Sequence, residues 1–293
     1  MPYEQPFGDV LGRGWTIARD LLPLVREALK GKYTVDREIA RGGAARVFLA
    51  HDGQGMSVAL KVLHPELAVS VTADRFLREI SFLSKLEHPN IASLIDYGES
   101  DWLVYYVMSY VPGPTLRQHM ERVRQLSVSD TRRIARDLLS ALKYAHDMGI
   151  VHRDVKPENV VLAKSGPVLM DFGIARAIAQ SGQDRLTRSG FAVGTSTYMS
   201  PEQVSGAEDI DHRSDVYSLG CVLFECLTGR APFVASREEL ILSMHHQEKP
   251  PSVADFRKDA PEPLVDLVAR ALCKERTDRW QTASEMMEAL QIQ

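Results

Sequence analysis

The sequence has little cysteine, no long apolar run and no strong excess of charge, and each absence removes a class of protein. Its three cysteines, Cys221, Cys226 and Cys273, form no C-x-x-C pair. An odd, unpaired set argues against a disulfide scaffold and reads as buried thiols in a reducing compartment. No stretch approaches the ~20 apolar residues of a membrane-spanning helix. Met1 to Gln5 carries no basic segment leading into an apolar run, so no secretory signal is expected. The chain reads as cytoplasmic, or as the intracellular part of a longer membrane-anchored protein. A formal net charge of -4 lacks the basic excess of a nucleic-acid binder, so no nucleic acid is expected as a partner. The sequence is not acidic enough to be disordered, and it holds no internal repeat or low-complexity tract.

What remains is an ordinary globular composition, 44% hydrophobic and 25% charged over 293 residues, long enough for a large core. Residues 1–31 read as an N-terminal extension. Phe7 to Gly14 is Gly-rich; Asp20 is then a candidate N-cap, with Pro23 in the first turn and Gly31 as a stop. Leu21, Leu24, Val25, Ala28 and Leu29 share one face at helical spacing, which predicts a short amphipathic helix from Leu21 to Lys30. From Tyr33 to Val62 the pattern turns to short alternating runs around Asp52-Gly53-Gln54-Gly55, a β-meander. A helix is expected from Asp74 to Leu86, then strands over Ala92 to Tyr97 and Trp102 to Met108. Pro112-Gly113-Pro114 breaks the chain. Beyond it, helices are expected over Ser129 to Met148, Val216 to Thr228 and Pro263 to Cys273.

Four segments carry chemistry, in one order along the chain. The first, Ile39-Ala40-Arg41-Gly42-Gly43-Ala44-Ala45-Arg46-Val47, lies between two expected strands. Its small residues would let backbone amides approach phosphates, although alone it equally fits a plain hairpin. The second is Lys61, in mid-strand within Val58-Ala59-Leu60-Lys61, where a buried ammonium needs a partner. Glu79 on the following helix is the natural one. The third is His152-Arg153-Asp154-Val155-Lys156-Pro157-Glu158-Asn159, after a strand-like Ile150-Val151. There Asp154 can accept a hydroxyl proton, Asn159 can offer an amide oxygen to a metal, and Lys156 can neutralise a moving phosphoryl group. The fourth, Leu169-Met170-Asp171-Phe172-Gly173, ends an apolar run on a carboxylate suited to a hard cation such as Mg²⁺. Phosphoryl transfer needs these parts: phosphates held, metal placed, a hydroxyl aimed.

Together these segments resemble the eukaryotic-type protein kinases, and within them the bacterial serine/threonine kinases, over Tyr33 to Gln291. Gly194 to Glu202 is similar to the family's A-P-E region, with Ser200 in place of alanine. Asp215 matches the aspartate that braces the catalytic loop, and Arg279 the arginine that pairs with Glu202. The resemblance implies an α+β, bilobed fold: a small β-rich lobe over residues 32–108, a hinge over 109–111 and a larger helical lobe over 112–292. It implies ATP-dependent phosphorylation of serine and threonine hydroxyls of proteins, with ATP and Mg²⁺ or Mn²⁺ as cofactors. By this resemblance Asp154 is the catalytic base, and Lys156, Lys61 and Glu79 assist it. Asn159 and Asp171 bind metal. Val47, Ala59 and Val161 sandwich adenine, Met108 is the gatekeeper, and Ser109, Tyr110 and Val111 offer backbone to the adenine edge. Lys156 and Thr195 resemble the serine/threonine branch. A second copy of the chain is counted among the partners, for autophosphorylation in trans, with Thr187 and Ser189 as sites. One departure stands out: the family's outer loop glycines are Ala40 and Ala45 here, and alanine resists positive φ. A kinase-shaped scaffold and a small-molecule phosphotransferase are the competing readings. The set Lys61, Glu79, Asp154, Asn159 and Asp171 argues against the first; Lys156 and the 194–202 segment argue against the second.

Overall fold

The computed structural model describes residues 20–42, 45–63, 80–100, 103–172 and 196–291. They divide into two units. The first holds the described residues up to Leu86 together with Ser93–Tyr110; the second holds Glu87–Ala92 and those from Val111 onward. The division falls after Tyr110, inside the expected hinge. Glu87–Ala92 lies within the stretch expected for the first unit but is built into the second. Leu169 N–H donates to the Asn90 carbonyl at 2.8 Å and Ala92 N–H to the Leu169 carbonyl at 3.0 Å.

The first unit is an antiparallel five-stranded sheet in the order β1-β2-β3-β5-β4. The strands are β1 (Thr34–Arg41), β2 (Ala45–His51), β3 (Ser57–Leu63), β4 (Leu94–Ser100) and β5 (Leu103–Ser109). Side chains alternate across a strand, so register decides each face. Lys61 pairs with Val47 and Tyr106, and Ala59 with Leu49 and Met108. Val47, Ala59, Lys61, Tyr106 and Met108 therefore share one face. Phe48, Ala50, Val58, Leu60, Tyr105 and Val107 line the other, where they are buried with Leu21, Val25 and Leu29.

Those three residues belong to the expected N-terminal helix, which forms as α1 (Leu22–Ala28). Leu21, not Asp20, is the cap residue, while Asp20 Oδ1 still accepts the Leu22 N–H at 3.0 Å. The expected stripe holds except at Leu24, which is 38% exposed. Arg26 ties the helix to the sheet through the Val35 and Asp36 carbonyls, at 2.7 and 2.6 Å. The helix expected over Asp74 to Leu86 is helical at Ile80–Ser81 and closes in a 3-10 turn over Phe82–Lys85; residues 74–79 lie outside the described residues.

The second unit is mainly helical. Its elements are α2 (Leu116–Val123), α3 (Val128–Asp147), the hairpin β6 (Val160–Ala163) and β7 (Gly166–Leu169), α4 (Pro201–Val204), α5 (Arg213–Thr228), α6 (Glu238–Gln247), α7 (Val253–Phe256), α8 (Glu262–Ala271) and α9 (Ala283–Gln291). Ser127 caps α3 by accepting the Asp130 N–H at 3.0 Å. Helix α5 is buried from Ser214 to Thr228, as its apolar residues on all sides require. Gly220 lets α8 approach: a Cβ there would sit 2.8 Å from the Ala271 Cβ. Ile150–Val151 is not a strand. The chain turns there instead, with Gly149 at φ +75 and Ile150 N–H donating back to the Ala145 carbonyl.

Candidate active site

Asp154 sits after that turn and before the 3-10 turn Pro157–Asn159. Its Oδ2 meets Lys156 Nζ at 2.7 Å and accepts Asn159 Nδ2 at 3.0 Å. The same Nδ2 donates to the Asp154 carbonyl at 2.8 Å. The structure thus brings the expected base, its lysine and one expected metal ligand into one turn. The backbone carries the link onward: Met170 N–H donates to the Asn159 carbonyl at 2.8 Å, which sets Asp171 beside this turn.

Two residues here hold a left-handed backbone that non-glycine residues rarely adopt, Arg153 at φ 68 and Asp171 at φ 64. Such positions cost about 1–3 kcal/mol and persist only where the surroundings impose them. Asp215 on α5 does so for Arg153. Its carboxylate accepts the His152 and Arg153 N–H groups, each at 2.8 Å, and the His146 Nε2–H at 2.8 Å. Burial alone would raise the Asp215 pKa, but His146, His152 and the Arg153 N–H hold it below the ordinary carboxylate value. Gln203 Nε2 closes the turn from the other side on the Arg153 carbonyl, at 2.7 Å. His152 accepts the Asp154 N–H on Nδ1 and donates Nε2–H to the Met170 carbonyl. Its ring stands edge-on to Phe172 with centroids 4.5 Å apart.

Lys61 projects from the middle of β3, its Nζ 5.8 Å from the Tyr106 ring centroid. Val47, Ala59 and Met108 lie on its face of the sheet, whereas Arg46 faces away and is buried, 3.4 Å from Glu38. The loop between β1 and β2 is shorter than expected, because the strands run to Arg41 and from Ala45. Ile39 and Ala40 are strand residues. Neither Ala40 nor Ala45 has positive φ, so their methyl groups carry no backbone strain. Gly42 N–H donates to the Ala45 carbonyl at 2.9 Å. Ser109 N–H is bonded to the Ser93 carbonyl at 2.9 Å; Tyr110 and Val111 follow. Val161 is buried on β6 in the second unit. Gly43, Ala44, Glu79, Thr187, Ser189 and Thr195 lie outside the described residues.

Glu202 and Arg279 form the expected pair, two bonds of 2.8 Å in a buried setting. Burial pushes the Glu202 pKa up, but the guanidinium and the Ser214 hydroxyl hold it below the usual carboxylate value. Sequence reasoning missed His146 and Gln203, which lie 69 and 50 residues from their partners and carry no local signal. It also missed Arg117, whose carboxylate partners are 41 and 108 residues away.

The profile of the protein kinase domain family matches residues 33–291. The chain belongs to the protein kinase domain family. A probable serine/threonine-protein kinase of Streptomyces coelicolor is 41% identical over 88% of this kinase domain chain and 39% of its own length. The serine/threonine-protein kinases PknB of Mycolicibacterium smegmatis and Mycobacterium tuberculosis are 40% and 39% identical, each over 88% of this chain and 42% of their own length. The kinase domain thus spans about two fifths of these relatives. Its α+β fold is the one expected from the sequence, and the family implies ATP and a divalent metal. No described helix is long and apolar enough to cross a membrane.

Proposed function

We propose that this chain is an active, ATP-dependent serine/threonine protein kinase. The carrying observation is the catalytic turn: Asp154 held by Lys156 at 2.7 Å and by Asn159 at 3.0 Å, on a backbone fixed by Asp215. With Oδ2 engaged, Asp154 Oδ1 takes the proton of the incoming hydroxyl and aims its oxygen at the γ-phosphoryl group. Lys156 stabilises the negative charge that moves past it. Lys61, with Glu79, holds the nucleotide phosphates; Val47, Ala59, Val161 and Met108 enclose adenine.

A divalent ion fits the donor set. Asn159 spends its amide N–H groups on Asp154, so its amide oxygen is the atom it presents, and Asp171 adds a carboxylate. Among the described residues no group of three or more His, Cys, Asp and Glu side chains is placed to hold a metal ion. Two protein oxygens, completed by phosphates and water, suit Mg²⁺ or Mn²⁺, which supplies positive charge against the phosphates when bound. We place the activity in the cytoplasm, on protein substrates, with a second copy as the target of autophosphorylation at Thr187 and Ser189.

Labelled ATP with Mg²⁺ and a general protein substrate tests the reading. Asp154→Asn is expected to lower kcat about 10²–10⁴-fold with nucleotide affinity little changed, and chelator should stop transfer. Activity of the variant within about threefold of wild type would overturn the role of the base.

A further inference from the structure

The hairpin β1–β2 carries three charged side chains at its mouth, on the sheet face away from Lys61. Arg41 and Arg46 are the last residues paired before the turn, directly opposite each other. Directly opposed residues of an antiparallel pair point to one face, and like charges so placed push the strands apart. Glu38 joins them. Its Oε1 accepts Arg41 Nε–H at 2.8 Å, and its Oε2 accepts Arg41 NH2 at 3.2 Å and Arg46 NH1 at 3.4 Å. Residues three apart in a regular strand point to opposite faces. A register irregularity between Glu38 and Ala40 brings Glu38 onto the face of Arg41, as a β-bulge re-aims a side chain.

Burial strengthens the cluster. The Arg46 side chain is 2% exposed, Glu38 21% and Arg41 55%. Burial, and then the charge of Arg41, lowers the Arg46 pKa, while Glu38 and, more weakly, Asp20 oppose this. Hydrogen bonding to Arg41 leads the effects that lower the Glu38 pKa, so its carboxylate is ionised at neutral pH. The next pair along the hairpin faces the other way. Ala40 lies opposite Val47, and Val47 opposite Lys61. Beyond Arg41 and Arg46, Gly42 N–H closes the turn on the Ala45 carbonyl at 2.9 Å. Strands that part at the two arginines would open this turn.

We infer that Glu38 is a positioning residue for the nucleotide: from behind the sheet it neutralises the facing arginines and so holds the phosphate-binding turn closed. This inference rests on the kinase reading above, in which ATP occupies the Lys61 face. The sign of the effect separates positioning from plain charge. Removing a negative charge near the phosphates would, by Coulomb attraction alone, tighten ATP binding. Opening the turn weakens it, because only the closed fraction binds.

The test titrates the full chain with Mg·ATP and with adenosine, which has no phosphates, by calorimetry. Glu38→Gln removes the charge but keeps an amide oxygen for Arg46. It is expected to raise the Kd of ATP about fivefold and to leave that of adenosine within about twofold. KM for ATP should rise in step, with kcat at saturating ATP within about threefold of wild type. Adding Arg41→Gln removes the opposed charge and should recover most of the lost affinity, although it takes a positive charge away from the phosphates. Glu38→Asp keeps the charge on a shorter arm and should show a smaller loss of the same kind; it carries the test if melts show Glu38→Gln unfolded. Equal losses for ATP and adenosine would make Glu38 a support of the fold alone and overturn the inference. Unchanged or tighter ATP binding in Glu38→Gln, or a double variant no better than the single one, would do the same. A wild type that binds no Mg·ATP would instead remove the kinase reading.

Discussion

At Arg279 every N–H of a buried guanidinium is placed. Nε donates to the Cys273 carbonyl, NH1 to Glu202 and the Arg213 carbonyl, and NH2 to Glu202 and the Lys274 carbonyl. A planar fork with five donors can do this where a lysine cannot. Removing one partner of such a pair strands a buried charge and costs about 3–5 kcal/mol. Arg279→Met should therefore lower unfolding stability by that amount in urea titration. The double variant Arg279→Met with Glu202→Leu should recover part of the loss, because the stranded carboxylate is gone. A single-variant cost below about 1 kcal/mol would show that the pair is not holding α4 to the end of α8. Asp215 works in the same way on a backbone rather than a side chain. It stabilises the positive φ of Arg153, so the geometry at Asp154 is imposed from a helix more than sixty residues further along.

Elements with strong local signals are legible in the sequence. Helix α3, expected from Ser129 with its stop at Gly149, runs from Val128 to Asp147, and the meander β1–β3 has its turn at Asp52–Gly55. The catalytic turn was legible as residue types, because a base, a lysine and an amide in six positions have few other uses. The short hairpin β6–β7 was not, since four-residue strands with a glycine and a proline carry no clear period. Helix α6 was missed because its apolar residues do not form a single stripe. The N-terminal helix was read as a helix, but its address needed the structure. It covers the sheet face opposite Lys61, so any influence on the residues around Lys61 passes through the sheet. Leu29→Ala, at a site 2% exposed, should cost about 2–4 kcal/mol. Leu24→Ala, on the outer side of the same helix, should stay within about 0.5 kcal/mol. Thermal melts decide this, and kcat at a temperature where both variants are folded should be nearly unchanged. Equal costs at the two positions would mean that α1 does not dock by this face.

Across the whole molecule, the second unit contains a buried histidine that makes stability depend on pH. His245 on α6 is fully buried; its Nδ1 accepts the Tyr217 hydroxyl and its Nε2–H donates to the Thr197 carbonyl, both at 2.9 Å. This joins α5, α6 and the segment leading into α4. Burial, with the nearby charge of Lys274, pushes its pKa down to about 4. Lys274 donates to the His245 carbonyl and is itself lowered to about 8, chiefly by burial. The unfolded chain binds a proton on this histidine as pH falls through about 6.5, while the folded chain resists until about 4. Stability is therefore complete above about 6.5 and declines as pH drops toward 4. Lys274 is protonated in both states below 7 and adds no slope there, and the lowered carboxylates Glu202 and Asp211 act only in a more acid range. His88, also lowered by burial, contributes with the same sign. Between pH 7 and 5 the His245 share is about 2 kcal/mol. His245→Phe should be less stable than wild type at pH 7, since Tyr217 and Thr197 lose their partner. Its loss of stability between pH 7 and 5 should nonetheless be smaller than that of wild type by about 2 kcal/mol, read from denaturant unfolding at the two pH values. Parallel pH slopes in the two proteins would show that the histidine is not buried in its neutral form.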